Sequence, residues 1–401
     1  MKLSRTILEP LLLIALVLLI ALLFLSASKL SFSYKEALLI LNESNTFLSY
    51  FMSFWVDSFG TNSLIARLPF IFFYSLSVIL LYLLTQNYFT KEIDRFVTTI
   101  IFALLPGINS SALIINESII VVFCVLLYLY LYKLYNKPNL IILPFFLLID
   151  NSFAIFYLAL FFYGLYKKDN ILLAVSLILF GISMSIFGFD TGGKPKGHFV
   201  STLAIYSSIF SPLLFLYFAY AMYKISFKGT KSLYWFISIT AFGFSLLLSF
   251  RQKIDIADFA PFVIVAIPMM VKLFMHSYRI RLKKFRTYHK ISVNIVLIVL
   301  IVNFFFLHYN QILYLLLEKP TKHFAYDYHF AKDLAKELKQ KGINNIYIDD
   351  EKLQKRLEIY GIKMGNSYYA TSSKTKIYDE IVTIEVYNKT VIELFVTKLN
   401  N

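Results

Sequence analysis

The sequence predicts an all-α polytopic membrane protein that ends in a small α/β soluble domain. Three observations carry this. Hydrophobic residues make up 58% of the chain and charged ones 16%, against roughly 45–50% and about 25% in soluble domains. Apolar stretches close to the roughly 20 residues that cross a bilayer recur between 7 and 309. From about Glu318 the composition turns soluble, and the periodicities shorten to those of small helices and strands.

The first apolar run, 7–28, follows Met1-Lys2-Leu3-Ser4-Arg5 and has the outline of a signal peptide. It is longer than a typical signal core, and Ser26-Ala27-Ser28 is a weak cleavage site, so a retained anchor helix is expected. Further candidate spans are 64–86, 96–109, 112–133, 139–150, 152–166 and 171–189, then 202–223, 232–250, 259–276 and 291–309. Two of them, 96–109 and 139–150, are short, and the expected total is about eleven.

Basic residues orient these spans. With the N-terminus in the cytoplasm, the internal loops hold Lys91 and Arg95, Lys133 and Lys137, Lys167 and Lys168, Lys224, Lys228 and Lys231, and the dense run 279–286. The loops 31–62 and 190–201 and the C-terminal tail then lie on the outer, periplasmic side. A net charge of +15, spread over short loops, is a topology signal and not a nucleic-acid footprint. Cys124, alone in an apolar run, excludes an intramolecular disulfide, a Cys-rich zinc site and an iron–sulfur cluster. The histidines show no metal-ligand spacing, so no metal or other cofactor is indicated.

The expected domains are 1–317, membrane-embedded with the amphipathic loop 31–62, and 318–401. In the tail, Phe330, Leu334 and Leu338 recur at helical spacing and Gly342 stops the helix. A strand over 343–348 and a second helix over 351–360 follow, then strands over 381–387 and 391–396 around the turn-like Asn388-Lys389. Neither a phosphate-binding glycine loop nor a catalytic triad occurs there.

Charges beside spans cost about 2.5–3.5 kcal/mol at mid-bilayer, so they face water or a partner. Four clusters qualify. Lys35, Glu36, Glu43 and Arg67 lie in or beside the first outer loop. A helix over 34–50 would put Glu36 and Glu43 on one face, as a general base or as solvated charges of an interfacial helix. Glu117 sits just inside a span after Pro106-Gly107 and fits either a site or a structural ion pair. Lys194, Lys196 and His198 lie in a Gly-rich outer loop that would suit a phosphate or be an ordinary turn. Arg251 and Lys253 cap an outer helix end, as phosphate ligands or as snorkelling flanks.

In order and spacing these pieces resemble bacterial GT-C glycosyltransferases related to protein O-mannosyltransferases and the aminoarabinose transferase of lipid A. The resemblance rests on Tyr34-Lys35-Glu36-Ala37, Phe59-Gly60, Arg67-Leu68-Pro69, Asn116-Glu117, Ser249-Phe-Arg-Gln-Lys253 and Asp258-Phe-Ala-Pro261, and covers about residues 1–310. Lys35 stands where the family carries its first acid, and Ser44-Asn45-Thr46 where it carries a His-Pro-Pro-like element. The resemblance implies a GT-C-like enzyme of the bacterial inner membrane that moves a sugar from a polyprenyl-phosphate donor to a periplasmic acceptor (protein, lipid A or glycan). Glu36, or else Glu43, would be the base. Arg67, Arg251 and Lys253 would hold the departing phosphate, and Glu117 a cation or sugar hydroxyl. The alternatives are a non-catalytic scaffold or lipid-glycan assembly partner on the same fold, and a transporter, which the absence of an inverted repeat disfavours.

Overall fold

The computed structural model describes residues 5–44, 46–188, 197–373 and 378–399. In chain order the helices begin with α1 (Arg5–Lys29), α2 (Tyr34–Ile40), α3 (Phe47–Phe59), α4 (Ser63–Leu84), α5 (Glu92–Leu104) and α6 (Pro106–Leu113). They continue with α7 (Ser118–Tyr135), α8 (Leu143–Phe146), α9 (Phe153–Lys167), α10 (Asn170–Phe187), α11 (Phe199–Phe210) and α12 (Pro212–Lys228). The last six are α13 (Leu233–Ser249), α14 (Ala260–Ile264), α15 (Ile267–Ile280), α16 (Lys283–His308), α17 (Ala331–Gln340) and α18 (Glu351–Ile359).

Six stretches among the described residues are long and apolar enough to cross a membrane: α1, α4, α7, α10, α14 with α15, and α16. The bent pairs α5–α6 (51°) and α11–α12 (107°) bring the number to eight. The expectation of about eleven is therefore not met by length and composition. The expected spans outside this number are 139–150, 152–166 and 232–250. Leu105, with ψ 130°, has the extended backbone that precedes a proline, so 96–109 is split at Pro106. The run 139–150 holds only the four residues of α8, started by Pro144 at its second position. The apolar helices α9 and α13 are shorter, at 15 and 17 residues.

The chain forms two compact units. The first comprises Met1–Ala21, Phe70–Ala112 and Asn116–Phe304. Its helix ends sort by charge. Lys133 donates to the carbonyls of Leu83 and Leu84, Arg95 to that of Tyr82, and Arg279 to Asp94. The C-terminal ends of α4, α7 and α15 and the start of α5 therefore meet at one cationic end of the bundle. At the α11–α12 bend Ser211 has φ 76°, and Asn303 Nδ2 donates to its hydroxyl at 2.8 Å. Close packing fixes one glycine: a Cβ on Gly107 would stand 2.4 Å from Ile209 Cγ2.

The second unit comprises Leu22–Pro69, Leu113–Ile115 and Phe305–Asn401. It holds a four-stranded sheet: β1 (Tyr347–Ile348), β2 (Tyr368–Thr371), β3 (Glu380–Val386) and β4 (Lys389–Lys398), in the order β1-β2-β4-β3. β1 and β2 run parallel; the other two pairings are antiparallel. Tyr387 and Asn388 both take left-handed φ (51° and 60°), the primed turn a tight hairpin requires. Phe330, Leu334 and Leu338 are buried in the core with Ile346, Leu357 and Leu394, as the helical spacing predicted. The strand expected over 343–348 shrinks to β1, and β2 had no clear alternating signal.

Beside this core lie two buried histidines. Asn310 Nδ2 donates to Leu307 O, so its Oδ1 accepts from His329 Nε2 and His329 Nδ1 accepts from the Tyr314 hydroxyl, each at 2.9 Å. His323 Nε2 donates to Asn310 O while its Nδ1 accepts from the Ala325 amide. The rings lie 4.9 Å apart. A second proton on His323 would point at an N–H. Burial, then the neighbouring His323, lowers the His329 pKa from 6.5 to about 4, and burial lowers that of His323. The unfolded chain therefore binds more protons than the folded one between these values. Stability from the pair is complete above about pH 6.5 and falls as pH drops toward 4. Thermal unfolding of the detergent-solubilised protein should show a lower midpoint at pH 5.0 than at pH 7.5, and a smaller difference in His329→Gln.

Candidate functional site

Two places in the chain gather the chemistry that the sequence singled out. The first lies in the second unit, where Ser33 starts α2 with a capping box. Its hydroxyl accepts from the Glu36 amide at 3.4 Å and its amide donates to Glu36 Oε2 at 2.9 Å. The box aims the Glu36 carboxylate at Arg67, one turn into α4. Arg67 Nη2 donates to Oε1 at 3.2 Å and Oε2 at 3.0 Å, and the Ile115 amide donates to Oε1 at 2.8 Å. Arg67 spends its other donors on carbonyls: Leu113 at 2.6 Å, Ser63 at 3.1 Å and Ser31 at 3.1 Å. Its guanidinium stands 5.1 Å from the Phe32 ring centroid. Glu36 is 1% exposed and Arg67 fully buried.

Three donors hold the Glu36 carboxylate: the Ser33 and Ile115 amides and Arg67 Nη2, which is shared between its two oxygens. The group is a fixed, enclosed anion. Glu43 is different. Its carboxylate is 39% exposed and pairs with Lys355 of α18, whose ammonium this hydrogen bond holds above its ordinary pKa. Solvent reaches Glu43 and not Glu36.

The same unit supplies residues that the sequence reading missed. Arg356 Nε donates to Phe32 O at 2.9 Å, and its Nη2 donates to Asp327 O. The Tyr360 hydroxyl accepts from the Phe32 amide at 3.0 Å, and the two rings stack at 5.5 Å. Tyr328 O accepts from the Ser31 amide at 2.7 Å. Desolvation, and for Tyr328 also the nearby Glu36 charge, raises both phenols, so they stay neutral. One signal was readable: Arg356 falls on the buried stripe of α18 with Leu353 and Leu357, where a solvated arginine has no place.

The second place lies in the first unit. The His198 amide donates to Ser249 O at 2.7 Å, and Phe199 stacks on Phe250 at 4.8 Å. The end of the Gly-rich loop is thereby held against the C-terminal end of α13. His198 is half-buried, and Arg251 and Lys253 are exposed just beyond this junction. Lys194 and Lys196 lie outside the described residues. Glu117 is half-buried at the start of α7, where the helix dipole favours a carboxylate. No group of three potential metal ligands occurs among the described residues.

No protein-family model and no curated protein sequence matches the chain. The fold, by contrast, is similar to the crystal structure of ArnT from Cupriavidus metallidurans bound to undecaprenyl phosphate. The TM-score is 0.58 over 98% of this chain and 98% of that one, at 10% identity. The apo state of the same protein gives 0.54 over the same shares, also at 10% identity. Nearly the whole chain therefore has an ArnT-like fold.

Removing one partner of a buried ion pair costs about 3–5 kcal/mol, because the other is left uncompensated. Glu36→Gln should lower the thermal midpoint of the purified protein sharply. Glu43→Gln, which breaks an exposed pair worth about 0–1 kcal/mol, should leave it nearly unchanged.

Proposed function

We propose that the chain is a multi-pass glycosyltransferase of the bacterial inner membrane, moving a sugar from a polyprenyl-phosphate donor to an envelope acceptor. One observation carries this reading: the likeness, over 98% of both chains, to a protein crystallised with undecaprenyl phosphate. The proposal puts the cationic end of the first unit in the cytoplasm, by the positive-inside rule, and the C-terminal segment in the periplasm.

The residues divide the work as their surroundings permit. A hydroxyl or amine of the acceptor loses its proton to a carboxylate as its lone pair attacks the anomeric carbon. The bond from that carbon to the phosphate oxygen breaks, and the polyprenyl phosphate leaves with the electron pair. Exposure favours Glu43 as the proton acceptor. Glu36 is then a positioning residue, an anion that fixes Arg67 and the course of the loop. Arg251 and Lys253, exposed beside His198, suit the phosphate oxygens, whose negative charge grows as the bond breaks. Lys194 and Lys196, which precede His198 in the sequence, would act on the same phosphate. Glu117 suits a sugar hydroxyl.

A second reading has its own support. The enclosure of Glu36 and the presence of Lys35 where the family carries an acid favour a non-catalytic scaffold that assembles lipid-linked glycans.

Purified protein supplied with polyprenyl-phosphate sugars, with products followed by mass spectrometry, separates the two. Glu43→Gln should slow transfer about 10²–10⁴-fold, the usual worth of a general base. Lys253→Ala should raise the KM for donor with an unchanged melting temperature. If Glu43→Gln transfers at the full rate, Glu43 is not the base. If the wild-type protein transfers no sugar and yet its deletion changes an envelope glycan, the scaffold reading replaces the enzyme.

A further inference from the structure

α16 is unevenly packed. Only 11% of its most apolar window is buried, and its buried residues, Leu300 and Phe304, both lie toward the C-terminal end. Its earlier turns stand away from α5, α12 and α15, leaving a cavity of about 310 Å³ within the first unit. Ile101, Tyr217, Met270, Phe274, Val293 and Leu297 give it apolar walls. At that size it falls at the low end of the ~300–1,000 Å³ range of ligand sites. Apolar walls do not hold water.

The rim has a different character. Lys224, Arg281 and His289 line the same cavity, and no acid does. Aromatic rings hold two of the three: Lys224 Nζ lies 5.7 Å from the Tyr220 centroid, and the His289 ring stacks on Phe274 at 6.0 Å. The nearby acids are engaged elsewhere, Asp94 by Arg279 and Glu92 by Arg95. An apolar slot between helices under a basic rim is complementary to a lipid with a negative headgroup.

We propose that this cavity binds one anionic glycerophospholipid, an acyl chain between α12, α15 and α16 and the phosphate at Lys224, Arg281 and His289. The site does not depend on the transfer reaction and uses none of the residues assigned to it. The lipid supplies the packing that α16 lacks.

Native mass spectrometry of the full-length protein in detergent tests this, with phosphatidylglycerol, phosphatidylcholine and undecaprenyl phosphate added at equal concentration. Phosphatidylglycerol should be retained over phosphatidylcholine. Lys224→Ala and Arg281→Ala should each weaken its binding roughly fivefold, since a basic residue near an anionic headgroup is worth about 1 kcal/mol. Neither side chain is buried, so both variants should keep the wild-type circular dichroism. Val293→Trp, with the cations intact, should exclude the acyl chain and abolish retention. Equal retention of the two phospholipids, unchanged binding in the double Lys224→Ala/Arg281→Ala variant, or a preference for undecaprenyl phosphate would each overturn the assignment.

Discussion

The second unit depends on one buried ion pair. Arg67 reaches three carbonyls and Glu36 from separate parts of the chain: the stretch at Ser31 and Glu36, its own helix, and the last residue of α6. Carbonyls at chain reversals need donors when they are taken out of water, and one guanidinium supplies several. The arginine is in turn tolerable only because Glu36 neutralises it. Glu36 is aimed by Ser33, an ordinary helix cap. A local rule of helix initiation thus sets the geometry of a long-range tie, and the loop from 31 to 69 takes its course from that tie.

What sequence could and could not reveal follows from the range of each interaction. Helical stripes are local, so the Phe330, Leu334 and Leu338 face was legible, as was a turn expected at Asn388-Lys389 and found one residue earlier, at Tyr387-Asn388. Hydropathy found the apolar segments, but where a helix begins and ends within such a run is set by breaks such as Pro106, which splits α5 from α6 at 51°. Motif order pointed to the fold. It also set Glu36 in the place of an accessible base, where the structure has an enclosed anion. Nothing local distinguishes the two cases; the difference is made by Arg67 and by the Ile115 amide, 31 and 79 residues away. Lys355, Arg356 and Tyr360 were missed for the same reason, since their partners lie some 300 residues earlier in the chain.

The first unit sorts its charges along the bundle. Lys133, Arg95 and Arg279 turn inward at one end, to carbonyls or to Asp94, and spare themselves part of the cost of desolvation. Other cations of the unit are left exposed, Lys137 and Lys228 among them and, after α13, Arg251 and Lys253.

The ties between residues 31–43 and 327–360 bear on how such a chain is made. Lys332 donates to the Ser31 hydroxyl across 301 residues, and Phe32 to Tyr360 across 328. Synthesis proceeds from the N-terminus, so the segment 31–43 emerges early and waits, without its hydrogen-bonding partners, for residues 327–360 to follow. The aromatic helix α3 that follows it keeps Phe47, Tyr50 and Phe54 exposed even in the finished fold. A ribosome that stalls before α18 leaves every membrane helix in place and the loop unfinished. Completion of the loop therefore requires synthesis through α18.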